Sequence, residues 1–207
     1  MKAARLRFWI GIALMTALWL LALVAGGRES SFDNALYELL HVEGGTTLAR
    51  NSILFTQIGS GLFLLPLALA ATVYLVFRRK RRAAAFLLIT IAGRFLVELQ
   101  KVIIYRPRPD VSPHLVSAHS YAFPSGHAAN SMITFLAIAW LLPVRPRNRA
   151  IAVGIAIALS LQIGLSRVML GVHWPSDVVG GWAFGVLWVM TCMRLTRARP
   201  DVEFAST

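Results

Sequence analysis

At 207 residues the chain has the length of one domain, yet 57% of it is apolar and only 14% is charged. That balance leaves too little polar side chain to coat a water-soluble globule, and it suits a chain that places apolar surface in lipid. A formal charge of +12 does not restore a nucleic-acid reading, because the basic residues form short clusters between apolar runs instead of one patch; the lone cysteine, Cys192, excludes an intrachain disulfide.

The first apolar run, Phe8 to Ala25, follows Lys2, Arg5 and Arg7. It is about 18 residues long, enough to span a bilayer. Leu23-Val24-Ala25 is a poor signal-peptidase site, so the run is expected to remain as a signal anchor. Over residues 27–52, Phe32, Leu36, Leu39 and Leu40 recur at helical spacing among Glu29, Asp33, Glu38 and Glu43. They predict a short amphipathic helix at the membrane interface, with His41 as a solvated residue.

A second span is predicted over about Ile53–Phe77, loosened by Gly59, Gly61 and Pro66 and closed by Arg78-Arg79-Lys80-Arg81-Arg82. A third covers about Ala83–Ile104; within it Arg94 and Glu98 have the spacing of an intramembrane ion pair. After a polar, proline-rich stretch from Tyr105 to Pro124, a fourth span runs over about His127–Leu142 and ends in Arg145, Arg147 and Arg149. The fifth covers about Ala150–Leu165, and the sixth about Val178–Met193, followed by Arg194, Arg197 and Arg199. Trp9, Trp19, Trp140, Trp182 and Trp188 read as lipid-facing or interfacial aromatics.

With six spans, the basic clusters before span one and after spans two, four and six fall on one side, which puts both termini in the cytoplasm. The expected fold class is all-α: a six-transmembrane-helix bundle with a short interfacial helix between the first two spans. It forms a single membrane-embedded domain over 1–207, with a motif-bearing core over about 83–195, in the inner (plasma) membrane.

Three polar clusters break the apolar pattern, and this topology puts all of them at the face opposite the basic loops. They are Lys101 with Arg108-Pro109; Pro124-Ser125-Gly126-His127; and Ser166-Arg167 with His173 and Asp177. Ionisable residues at membrane depth are costly unless paired, and by default they signal function. Lys101, Arg108 and Arg167 together offer the charge and donors that suit phosphate oxygens. Ser125 falls near the start of span four, where free backbone N–H groups and the helix dipole favour an anion, and Gly126 lets backbone approach it. Pro175 suits the first turn of span six, so His173 falls at that helix's mouth with Asp177 one turn on. At that spacing Asp177 can hold one ring nitrogen of His173 and leave the other to attack phosphorus, while His127 protonates the departing oxygen. His114 and His119 read as ordinary loop residues; Arg106 is open between head-group contact and surface charge, and Trp174 between pocket lining and interfacial anchor.

The pattern K-x-x-x-x-x-x-R-P, P-S-G-H, S-R-x-x-x-x-x-H-x-x-x-D resembles the signature of the type 2 phosphatidic acid phosphatase superfamily. Every fixed position is matched here: Lys101, Arg108, Pro109, Pro124, Ser125, Gly126, His127, Ser166, Arg167, His173 and Asp177. The resemblance covers about residues 50–195. It implies a metal-independent, extracytoplasmic membrane lipid phosphatase that needs no cofactor. His173 would become phosphorylated, His127 would serve the leaving group, and Lys101, Arg108, Ser125, Gly126 and Arg167 would bind phosphate. The implied partners are the membrane and a phospholipid or polyprenyl diphosphate substrate: phosphatidylglycerol phosphate, phosphatidic acid or undecaprenyl diphosphate. Three other readings stand beside it. A lipid phosphotransferase would share the covalent intermediate. A vanadium-dependent haloperoxidase shares the motifs, but its known relatives are soluble. A transporter or scaffold would leave the clusters without a purpose.

Overall fold

The structure is a computed structural model that describes residues 2–78, 80–141 and 145–195. Arg79, Arg197, Arg199, the side chains of Lys80 and Arg147, and the expected end of span four at Leu142 lie outside the described residues. Among the described residues there is no strand. The helices are α1 Lys2–Ala25, α2 Ser31–Leu40, α3 Thr47–Ile58, α4 Gly61–Arg78, α5 Lys80–Ile104, α6 Gly126–Leu141, α7 Pro146–Met169 and α8 Pro175–Leu195.

Four helical stretches are long and apolar enough to cross a membrane: Arg5–Ala25, Thr47–Arg78, Asn148–Met169 and Pro175–Leu195. The other two expected spans differ for separate reasons. α5 carries Arg94, Glu98 and Lys101 among its apolar residues. α6 has 16 residues, about 24 Å at the usual helical rise. It is nevertheless the central helix: α4, α5, α7 and α8 pack around it, and Ala128, Ala129, Met132, Ile133 and Ala137 are buried. α8 comes closest. A Cβ at Gly181 would lie 2.8 Å from the Ser125 carbonyl, and one at Gly185 would lie 2.8 Å from Met132 Cβ. This small-residue seam lets α8 press against the start of α6, and α1 packs along α8.

The second expected span is two helices. α3 ends where Gly59 N donates to the Phe55 and Thr56 carbonyls, and α4 restarts as Phe63 N and Leu64 N donate to the Ser60 carbonyl. A side chain is excluded at the break, since a Cβ on Gly59 would lie 2.3 Å from Ile163 Cγ2 and 3.2 Å from His127 Cδ2.

α2 turns a polar residue and an aromatic one toward the bundle. Asp33 and Tyr37 are buried, whereas Phe32 and Leu39 are exposed. Asp33 can be inward because it finds donors there, and Tyr37 packs on Trp174 with ring centroids 5.7 Å apart. His41, expected in solvent, stacks on Tyr37 at 5.4 Å.

Three of the tryptophans expected at lipid are helix-to-helix ties instead. Trp19 Nε1 donates to Gln100 Oε1, Trp182 Nε1 to the Ser160 carbonyl and Trp188 Nε1 to the Ile89 carbonyl. Gly164 and Gly93 leave the room that the last two indoles fill. Trp9 is exposed, as expected.

Hydrogen bonds link the connections at one end of the bundle. Val42 N reaches the Met169 carbonyl, Leu115 N the Leu170 carbonyl, Ala122 N the Arg106 carbonyl and Ser125 N the Asp177 carbonyl. The three motif clusters meet at this end.

Candidate active site

A cavity of about 220 Å³ opens at the motif end, lined by Lys101, Arg108, Gly126, His127, Arg167 and His173 together with Gly59, Gly61, Arg94, Glu98, Ser117, Ala118, His119, Ser120 and Asn130. Each cation is aimed by a different element. Lys101, in the last turn of α5, is buried; its Nζ donates to Ser120 Oγ at 2.9 Å and lies 3.6 Å from Glu98 Oε1. A Cβ on Gly126 would lie 3.2 Å from that Nζ, so the bare backbone at the start of α6 is what admits the ammonium. Arg108 is held by three carbonyls: Nε donates to Ser120, Nη1 to Val172 and Nη2 to Tyr121. Arg167, in the last turn of α7, donates through Nη1 to Thr56 Oγ1 on α3.

Among the buried side-chain atoms at this end without a protein partner are Ser125 Oγ and Arg167 Nε, along with His41 Nε2 beside Gly171. Ser125 precedes the first residue of α6, and its hydroxyl is not spent on capping that helix. The first amides of α6 have no intrahelical acceptor either, since the first such bond runs from Ala129 N to the Ser125 carbonyl. Open donors of this kind suit an anion.

His173 sits in the connection from α7 to α8, which turns at Gly171 with φ +81°. Its ring is almost wholly buried. Nδ1 lies 3.4 Å from Asp177 Oδ2, and Nε2 lies 3.1 Å from Arg108 Nη1. A guanidinium can only donate, so Nε2 accepts and the ring proton belongs on Nδ1, facing the carboxylate. Burial, then the charges of Arg108, Arg167 and Lys101, hold His173 well below the ordinary histidine range, so the ring is neutral at pH 7. A neutral imidazole with its lone pair on the cavity side can act as a nucleophile.

Residues 82–201 match the PAP2 superfamily. The chain belongs to that superfamily. It is 36% identical over 137 residues to phosphatidylglycerophosphatase B of Bacillus subtilis, covering 64% of this chain and 67% of the relative. It is 28% identical over 185 residues to undecaprenyl-diphosphatase of Sulfolobus acidocaldarius, covering 86% and 85%. Among solved structures it resembles the first transmembrane PAP2 type phosphatidylglycerolphosphate phosphatase from Bacillus subtilis. The TM-score is 0.81 at 29% identity, covering 90% of this chain and 96% of that one.

Behind the PAP2 motifs stands a buried network that sequence patterns did not reveal. Arg106, read as surface or head-group charge, is buried: Nη1 donates to Asp177 Oδ1 at 2.9 Å and to Ser176 Oγ at 3.0 Å, and Nη2 to the Ala22 and Leu23 carbonyls. Asp33 of α2 accepts from Ser176 N, Ser176 Oγ and Gly27 N. Asp177 thus has Arg106 on one oxygen, and the Trp174 amide with the His173 ring on the other. The network ties the end of α1 and the first turn of α2 to the His173 support.

Other expectations resolve as follows. Trp174 is fully buried, with Nε1 donating to the Pro107 carbonyl, so it neither lines the cavity nor anchors at an interface. His114 braces its own loop through the Pro109 carbonyl at 2.7 Å. His119, read as an ordinary loop residue, lies on the cavity wall. The expected Arg94–Glu98 pair is absent; Glu98 turns to Lys101 instead.

Proposed function

We propose that the chain is a six-span membrane lipid phosphatase acting through a phosphohistidine on Nε2 of His173, with its cavity on the extracytoplasmic face. The observation that carries this reading is the His173 ring, oriented by Asp177 on one nitrogen and facing a cation-lined cavity with the other. The lipid part rests on a second feature. An apolar groove of about 450 Å³ between α4, α5 and α6, lined by Leu64, Leu69, Leu87, Ile91 and Phe95 among others, shares Arg94, Glu98 and Asn130 with the cavity. A phosphate seated among Lys101, Arg108 and Arg167 would place its tail there.

In the first step Nε2 of His173 attacks phosphorus and the P–O bond to the lipid breaks; His127 gives its proton to the departing lipid oxygen. As His173 takes on positive charge, Asp177 stabilises it. In the second step water attacks the phosphohistidine, His127 accepts the water proton, and inorganic phosphate leaves with Nε2 restored. Lys101, Arg108, Arg167, the α6 amides and Ser125 Oγ neutralise the oxygens throughout. The basic C-terminal ends of α4 and α8 and the basic start of α7 then lie in the cytoplasm with both termini. No metal is required by these steps.

The test is phosphate release by purified protein from phosphatidylglycerol phosphate, phosphatidic acid and undecaprenyl diphosphate with a chelator present. Release from at least one lipid is expected. Activity that disappears with chelator and returns with a divalent ion would count against the metal-free steps. The division of labour has its own check. His127→Ala is expected to lose turnover yet bind inorganic phosphate within a few-fold of wild type, whereas Arg167→Ala weakens that binding by about 10- to 100-fold. Equal losses in a calorimetric titration would contradict it.

A further inference from the structure

The apolar groove and the phosphate cavity meet at three polar side chains, Arg94 and Glu98 of α5 and Asn130 of α6. Glu98 is engaged with Lys101 at 3.6 Å. Arg94, half-buried within α5 and one turn before Glu98, makes no hydrogen bond or ion pair among the described residues, and the Asn130 amide makes none. A guanidinium at that depth without an anion is an expensive feature to keep. Its place is also prepared: a Cβ on Gly61 would lie 2.9 Å from Arg94 Nη2, so the glycine at the start of α4 gives the guanidinium its room. Even counting Glu98 against it, the junction keeps net positive charge, because Lys101 already offsets that carboxylate.

Geometry also says what kind of anion belongs there. The scissile phosphate lies among Lys101, Arg108 and Arg167, and the tail lies in the groove beyond Arg94. A group at Arg94 is therefore the part of the lipid between the two. We propose that Arg94, assisted by Asn130, is a second anion subsite that holds the non-scissile phosphate of a two-phosphate lipid. This inference rests on the lipid-phosphatase reading above. The shared chemistry is a second phosphate on the tail side of the one removed, joined to it by an anhydride oxygen in a lipid diphosphate and across a glycerol in phosphatidylglycerol phosphate. The planar fork of arginine suits two oxygens of such a group, and the Asn130 amide can donate to a third. Phosphatidic acid has no group to place there.

The experiment measures kcat/KM of full-length protein for undecaprenyl diphosphate, phosphatidylglycerol phosphate and phosphatidic acid, in wild type, Arg94→Gln, Arg94→Lys and Gly61→Ala. For Arg94→Gln the ratio of kcat/KM on a two-phosphate lipid to that on phosphatidic acid is expected to fall by about 10- to 100-fold, chiefly through KM. Arg94→Lys should recover part of it, and Gly61→Ala, which displaces the guanidinium without removing it, should shift the ratio in the same direction. A fall confined to the diphosphate, or to the phosphodiester, identifies the source of the inner phosphate. An unchanged ratio in Arg94→Gln, with wild type active, overturns the subsite alone. Wild-type protein inactive on all three lipids overturns the lipid-phosphatase reading and the subsite with it.

Discussion

Replacing His173 by Ala is expected to lower lipid-phosphate turnover by about 10⁴-fold or more, since it removes the nucleophile of the first step. The ring is almost wholly buried and its Nε2 is the nitrogen facing Arg108 and the cavity. Phosphate binding should survive, because Lys101, Arg108 and Arg167 are anchored through Ser120, Val172 and Thr56. Steady-state phosphate release and a phosphate titration on the same preparation check both halves. A scaffold or transporter would have no such turnover to lose. Acidity gives a further signature. His173 is held well below the ordinary histidine range by burial and by neighbouring cations, so mild acidification should not switch off the nucleophile. The stability sign follows from the same depression. Protonation favours the unfolded chain, so this contribution is complete above about pH 6.5 and is lost as pH falls through the folded value.

Asp177→Asn should cost both activity and stability, through different bonds. An amide can donate to Nδ1 of His173, which moves the ring proton to Nε2 and occupies the attacking lone pair; turnover is expected to fall by about 10³- to 10⁴-fold. Separately, Arg106 loses the carboxylate 2.9 Å away while staying buried. Stranding one charge of a buried pair costs about 3–5 kcal/mol. The two effects can be parted. Adding Arg106→Met to Asp177→Asn removes the stranded charge, so thermal stability should rise above that of the single variant while turnover stays low. If turnover recovers together with stability, Asp177 serves the fold and not the histidine tautomer.

Much of this site could be read from local spacing. Three motif clusters at the ends of apolar runs were enough to place Lys101, Arg108, Gly126, His127, Arg167 and His173 around one space, because helices that alternate in direction return their ends to one face. What local patterns could not show were contacts across long sequence distances. Asp33 meets Ser176 from 143 residues away, and nothing near Asp33 distinguishes it from the solvated acids beside it. Arg106 is open between head-group contact and surface charge in the sequence, which gives no hint that Asp177 has a second oxygen to satisfy. Helical spacing offered Arg94 to Glu98, but Lys101 is one turn further on at the cavity wall and takes the carboxylate. The tryptophans misled for a related reason: lipid-facing and helix-bridging indoles share the same composition signal. Only the facing glycines, Gly93 and Gly164, mark Trp188 and Trp182 as bridges.

Trapping the covalent intermediate tests the central claim most directly. Full-length protein is mixed with a lipid carrying a labelled scissile phosphate, quenched within the first turnover under alkaline conditions, and digested. Label should appear on the peptide containing His173, should survive base and be released by acid, and should be absent from His173→Ala. Label on another residue, or single-turnover phosphate release with no labelled protein at any quench time, would contradict the account.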